Sequence, residues 1–286
     1  MMEKRRIDNF MTIKELKIPL NNNTVATVTA YLRPQLYAGQ TFPGLIICAG
    51  GSFTQLSERE TVAGALAYYA RGFNVFALHY SLLADYTPLY PQPLYELAAT
   101  IAYLRKNAAK FKQQPHAIAM LGLSAGGHLV SALAGTWATV KLAEETQLDN
   151  EAIRPNAQLL AYPVTDLTSG WPKDFAEVKK ITQTPELINT QKLVNQATPP
   201  TFIWNSQTDA AVAPSNTLNY VAALAKNKIS FEAHTFSSGL HGTVLANELT
   251  ARPQKGAADI DPHVATWFEL SLQWLAQVLP AAKEQD

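Results

Sequence analysis

One cysteine, Cys48, is all the thiol that this chain of 286 residues carries. That excludes an intramolecular disulfide, and with it any need for an oxidising compartment. Net charge is missing too, since 23 Lys and Arg face 23 Asp and Glu. With no long-range field of either sign, nothing steers the protein toward nucleic acid or anionic lipid, and a neutral small molecule is the expected partner. Long apolar runs are absent: GLIICAG and TWFELSLQWLAQVL fall short of the ~20 residues that span a bilayer. The opening MMEKRRIDNFMTIKEL has the charges of a signal peptide without the apolar core of about 7 to 15 residues that follows them in one. It reads as a soluble arm, so the expected location is the cytoplasm, with no membrane contact.

What is present points to a large buried core. At 47% hydrophobic residues, the chain is expected to form one domain over 1–286. Strand and helix signals alternate, which predicts a three-layer α/β sandwich around a mostly parallel sheet of about eight strands. ELKIPL and TVATVTAYL alternate polar and apolar residues like an antiparallel hairpin. GLIICA, NVFALHY, AIAMLGL, AQLLAYP, TFIWN and SFEAHTF read as strands covered on both faces. Ser57 with Glu60 forms a capping-box pattern for a helix running to about Arg71, where Gly72 stops it. Leu94, Leu97, Ala98, Ile101 and Leu104 recur at helical spacing. A helix must follow Ser124, and a last one covers 263–278, where Trp267, Phe268, Leu272 and Trp274 leave room for a homo-oligomer surface. The polar, irregular stretch 166–200 is about twice the length of a usual connection and is expected to form a small cap, or else a solvated excursion with two short helices.

The chemistry-bearing residues sit at strand ends. Gly122-Leu123-Ser124-Ala125-Gly126 follows AIAMLGL and opens a helix-forming run. A serine hydroxyl is a useful nucleophile only when it projects into open space beside a base; a sharp strand-to-helix turn does that and needs glycines on either side. The helix N-terminus brings unpaired N–H groups and its positive dipole end to the oxygen that becomes negative. Upstream, Gly50 and Gly51 close the strand GLIICA, where either could aim an amide at a carbonyl oxygen while Ala125 supplies the second donor. Asp209 follows TFIWN and His241 follows SFEAHTF, both at carboxyl ends of strands, where open α/β sheets build sites. The rivals fit less well. His79 and His234 lie inside strands, His116 is at the wrong end of one, His263 starts the final helix, and His128 lies one helical turn after Ser124. Asp166 is the alternative acid, better explained as a cap, and Cys48 reads as a buried strand thiol.

On these segments the chain resembles the α/β-hydrolase esterases that include bacterial acetyl-xylan esterase and carbohydrate acetyl esterases. CAGGSFTQLSERE and RGFNVFALHYSL look like that family's oxyanion loop, first sheet helix and next strand, and LGLSAGGHL, PPTFIWNSQTDAAV and GLHG like its nucleophile, acid and base segments. The resemblance implies a catalytic Ser124, Asp209 and His241, an oxyanion hole around Gly50, Gly51 and Ala125, and deacetylation of sugar esters or cleavage of short acyl esters through an acyl-enzyme, with no metal or cofactor. Ser52 stands where the family commonly has a third glycine, which adds a hydroxyl to the expected pocket. Phe53, Tyr86, Trp171 and Phe175 are candidate walls. A peptidase or amidase could use the same residues, a binding protein could keep the scaffold without the chemistry, and a lipase would need a less polar lid than 166–200 offers.

Overall fold

The computed structural model describes residues 11–280, so the first ten residues of the expected N-terminal arm lie outside the described residues. Eight strands form one sheet: β1 (Thr12–Pro19), β2 (Val25–Leu32), β3 (Phe42–Cys48), β4 (Asn74–His79), β5 (Gln113–Leu123), β6 (Ala157–Ala161), β7 (Thr201–Ser206) and β8 (Phe231–Phe236). Their order is β1-β2-β4-β3-β5-β6-β7-β8. The β1/β2 hairpin and the β2/β4 pair are antiparallel and the remaining pairs are parallel. All eight expected strands are present. One was misplaced in depth: SFEAHTF is an edge strand with a single ladder neighbour, and Phe231, Ala233 and Thr235 are exposed along it.

The helices are α1 (Gly64–Ala70), α2 (Gln92–Lys106), α3 (Ala108–Phe111), α4 (Ala125–Thr136), α5 (Val140–Thr146), α6 (Asn150–Ile153), α7 (Phe175–Ile181), α8 (Ser215–Lys226) and α9 (Pro262–Val278). Side chains alternate faces along a strand, and this divides the interior into two apolar layers. Ile46, Phe76, Met120, Leu160 and Ile203 face α2, α4 and α8. Leu45, Val75, Leu121, Leu159 and Phe202 face α1 and α9. Trp267 and Trp274 are buried in the second layer, so α9 spends its tryptophans on the sheet rather than on an outer association surface. Among the described residues no helix is long and apolar enough to cross a membrane.

One local expectation changes. The capping box forms by half: Ser57 Oγ accepts the Glu60 N–H at 3.4 Å, but the Glu60 carboxylate turns away from Ser57 to the N–H of Gly50. The chain then makes a π turn over Arg59–Ala63 before α1, and the helix stops at Arg71 with Gly72 at φ +102°. The segment 166–200 is anchored to the body of the fold at several points, with Lys173, Asp174 and Phe175 exposed. Asp166 bridges Asn189, the N–H groups of Leu89 and Tyr90 donate to the carbonyls of Lys180 and Ile181 at 2.9 Å, and Val178, Ile181, Leu187 and Val194 enter the first apolar layer.

Candidate active site

Ser124 joins β5 directly to α4, with φ 51° and ψ −118°. For a residue with a Cβ this backbone is strained and persists only where its surroundings over-determine it. They do so here. The Ser124 N–H donates to Ala161 at 3.0 Å, and the Ser124 carbonyl accepts from Gly127 at 2.9 Å and Val164 at 3.0 Å. The flanking glycines are required by close approach: a Cβ on Gly126 would stand 2.0 Å from the Cys48 carbonyl oxygen, and one on Gly122 2.6 Å from that of Gly126. Both are backbone atoms that cannot move aside, so only glycine lets α4 start against the end of β3.

The loops after β7 and β8 bring the other two expected residues to this turn. Ser124 Oγ lies 2.8 Å from His241 Nε2, and His241 Nδ1 lies 2.7 Å from Asp209 Oδ2. The second Asp209 oxygen accepts the N–H groups of Ala211 at 2.8 Å and Val212 at 2.9 Å, which fixes the carboxylate plane. Asp209 is buried, with a side-chain exposure of 1%, whereas His241 retains 21%. An ionised carboxylate only accepts, so Nδ1 carries the hydrogen, and Nε2 is left as the acceptor for the Ser124 hydroxyl. The rivals are engaged elsewhere. His79 meets Thr29 and His234 meets Glu232, while Asp166 accepts from Thr168 and Asn189. Cys48 is a buried free thiol whose pKa burial pushes up, out of the nucleophilic range.

His128 is wholly buried. Its Nδ1 takes the Tyr90 hydroxyl at 3.0 Å and its Nε2 donates to the Leu187 carbonyl at 2.8 Å. Burial pushes its pKa down to about 4, with the Leu187 carbonyl acting in the opposite direction. In the unfolded chain a histidine protonates near about 6.5, so unfolding takes up a proton at pH values between the two. Native stability is therefore fully present above about 6.5 and falls as pH drops toward about 4, by about 3 kcal/mol in total. Urea unfolding at pH 7.5 and 4.5 checks this: the loss on acidification should shrink by about that amount in His128→Asn. Equal pH dependence in both proteins would remove His128 from this account.

The loop after β3 departs from expectation at two residues. Gly50 was expected as an oxyanion donor, but its N–H is held by the Glu60 carboxylate and cannot also meet a substrate oxygen. The N–H groups of Gly51 and Ala125 have no acceptor among the described residues. Phe53 was expected to wall the pocket, yet its ring is fully buried, packed edge-on against Tyr80, Tyr90 and His128 and tilted against Trp171. Gly51, Ser52 and Phe53 all have positive φ, which turns the loop sharply enough to bury the ring while Ser52 is exposed. The Tyr80 hydroxyl donates to the Ala49 carbonyl at 2.5 Å and braces the turn. Of the other candidate walls, Trp171 is half-buried, whereas Tyr86 and Phe175 are exposed.

Four residues around the site escape a reading by motif: Arg59, Glu60, Tyr162 and Arg252. Arg59 donates to the carbonyls of Gly242 and Thr250. Arg252, paired with the buried Asp259, donates to the His241 carbonyl at 3.0 Å. The Tyr162 ring stands edge-on to the His241 imidazole, with centroids 5.0 Å apart. Burial holds the Glu60 carboxyl above its usual range although the Gly50 N–H and His241 pull it back. The only sequence signal among these was Glu60, which the capping pattern accounted for in another way. A cavity of about 280 Å³ bordered by Leu94, Leu142, Leu187 and Leu193 contains none of the residues around Ser124, because it lies between α2, α5 and the 166–200 segment.

A mostly parallel eight-stranded sheet between two helical layers, with a serine at a strained strand-to-helix turn, defines an α/β hydrolase. The profile of the BD-FAE family matches residues 31–224. The carboxylesterase Cest-2923 from Lactobacillus plantarum WCFS1 superposes with a TM-score of 0.89 at 33% identity, covering 95% of this chain and 100% of that one. Endo-1,4-beta-xylanase B of Butyrivibrio fibrisolvens is 30% identical over 211 residues, 71% of this chain. The acetylxylan esterase of Xylanibacter ruminicola is 23% identical over 241 residues, 81% of this chain. The chain spans 33% and 46% of the lengths of these two curated relatives. It belongs to the BD-FAE family, an α/β-hydrolase esterase family related to the acetyl xylan esterases.

Proposed function

We propose that the chain is a serine esterase that removes short acyl groups, acetyl foremost, from acetylated carbohydrates, as one α/β-hydrolase domain in which 166–200 is a fixed cap. The observation that carries this reading is the continuous hydrogen-bonded line from Asp209 through His241 to Ser124 Oγ, at 2.7 and 2.8 Å. Ser124 attacks the ester carbonyl as His241 Nε2 takes its proton. The carbonyl oxygen, now negative, is met by the N–H groups of Gly51 and Ala125 at the N-terminus of α4. His241 returns the proton to the leaving alcohol, and water then repeats the sequence on the acyl-enzyme. Asp209 holds the imidazole in the required tautomer and stabilises its cation without taking the proton.

Two features support a small acyl group on a sugar. The buried rings of Phe53, Tyr80 and Tyr90 pack together behind the oxyanion loop, which favours a short acyl group over a long one. The Xylanibacter ruminicola relative is an acetylxylan esterase. The test is a series of p-nitrophenyl esters from acetate to decanoate beside acetylated xylo-oligosaccharides and an aminoacyl anilide. Acetate should exceed octanoate in kcat/KM by about tenfold or more, since each misplaced methylene costs a catalyst a recognisable part of its transition-state binding. Preference for acyl chains of eight or more carbons would overturn the acetyl reading, and faster cleavage of the anilide would make the protein a peptidase.

A further inference from the structure

Glu60 occupies a place in the site that its role in a helix turn does not explain. It is buried, at 4% exposure, and ten residues from its partner Gly50 in sequence. Gly50 is held in close contact: a Cβ there would lie 2.8 Å from Ser124 Cβ and 2.9 Å from Glu60 Oε2. One Glu60 oxygen accepts the Gly50 N–H and the other accepts the Tyr162 hydroxyl at 3.2 Å. Two acceptors and no donor is the hydrogen-bonding set of an ionised carboxylate; burial works against that form, while the Gly50 N–H, His241, the Tyr162 hydroxyl and Arg59 work for it. Tyr162 stays a donor because burial, reinforced by Glu60 itself, pushes its pKa far above the ordinary phenol value.

The charges facing Glu60 come from several elements. Arg59 is its neighbour on the π turn, Tyr162 follows β6, Tyr80 follows β4, and His241 and Arg252 come from the loops after β8. Arg59 and Arg252 are committed to carbonyls of the histidine loop, so both hold that loop in place while Glu60 supplies negative charge beside the imidazole.

We propose that Glu60 is a positioning residue with two linked effects. By engaging the Gly50 N–H it sets the turn that leaves the Gly51 N–H free toward the carbonyl oxygen, and by its charge it favours the imidazolium that His241 becomes during acyl transfer. This rests on the assignment of Ser124 as the nucleophile. It also explains why the first glycine of the loop is not a donor: that amide orients the next one. A fixed negative charge in a water-poor setting acts more strongly than in bulk water, and the acyl-transfer transition state carries positive charge on the imidazole that the resting state lacks.

The experiment compares Glu60→Gln, Glu60→Ala, Tyr162→Phe and Ser124→Ala in p-nitrophenyl acetate hydrolysis over pH 5–9, with thermal melting of each. Glutamine keeps an oxygen for the Gly50 N–H and loses the charge. Its expected signature is an acid limb of kcat/KM moved to lower pH by roughly half a unit or more, with KM nearly unchanged. Alanine loses the anchor as well, and kcat should fall on the order of 10²-fold, the scale of a lost oxyanion donor. Tyr162→Phe removes only one of the two hydrogen bonds and should fall between wild type and Glu60→Gln in its pH limb, which keeps the test valid if the alanine variant does not fold. An unmoved acid limb in Glu60→Gln, with Ser124→Ala inactive, overturns the role of Glu60 alone. Activity retained by Ser124→Ala instead overturns the underlying assignment.

Discussion

Ser124→Ala should lower kcat for p-nitrophenyl acetate on the order of 10⁵-fold or more, with folding intact. The expected loss is this large because the site offers no second nucleophile. Cys48, the one cysteine, lies under the turn with its thiol buried and its pKa pushed up, and a thiol kept protonated does not attack. Removing Oγ also leaves His241 Nε2 with no hydroxyl to deprotonate, so the base and its acid partner lose their purpose together; groups that act as a unit are not additive when removed. Folding should survive because the three backbone hydrogen bonds at Ser124 and the glycine contacts around it do not involve Oγ. A fluorophosphonate probe provides the direct readout: it should label the wild type at Ser124, identified by peptide mass, and leave the variant unlabelled. Steady ester turnover by the alanine variant would mean that another residue carries the chemistry.

Asp209→Asn should lower kcat/KM on the order of 10³- to 10⁴-fold, the scale seen when a triad carboxylate becomes an amide. The reason lies in how this carboxylate is held. One oxygen accepts the N–H groups of Ala211 and Val212, and an asparagine keeps those bonds only by placing its carbonyl oxygen there. Its NH₂ then faces His241 Nδ1, 2.7 Å away in the wild type. Two donors cannot face each other, so Nδ1 must become the acceptor and the hydrogen moves to Nε2. In that tautomer Nε2 cannot take the Ser124 proton. The fall should be largest in kcat, with KM little changed, because the lost interaction develops only as the imidazole becomes charged. Near-wild-type rates in the asparagine variant would remove Asp209 from the site. Asp166 does not stand in readily, since its oxygens tie Thr168 and Asn189 at the base of the 166–200 segment.

Much of the framework was legible from residue order. The period-two pattern distinguished the β1/β2 hairpin from the central strands because those strands are covered on two faces and the hairpin is not. The glycines at 122 and 126 marked the turn because a Cβ there meets backbone, a constraint carried by the local chain. Ser124, Asp209 and His241 could be chosen because each follows a strand, and parallel strands place their carboxyl ends on one edge. Strand-end position was enough to prefer His241 over His128, even though His128 is nearer Ser124 in sequence.

Position along the chain could not assign the hydrogen bonds of the oxyanion loop. Whether Gly50 or Gly51 keeps a free N–H depends on Glu60, and the state of Glu60 depends on Tyr162, 102 residues further along. SFEAHTF looked covered because its residues are apolar enough, but coverage needs a neighbour on each side, and only the assembled sheet shows that β8 has one. Phe53 looked like a pocket wall because it adjoins the loop, yet three successive positive φ angles turn its ring into the core. The order of elements, the strained serine turn and the three residues that converge there follow from residue order alone, through backbone periodicity and local steric limits. Which amides remain free around Ser124 depends on the folded arrangement, because a hydrogen-bond partner is set by proximity in space between segments far apart in the chain.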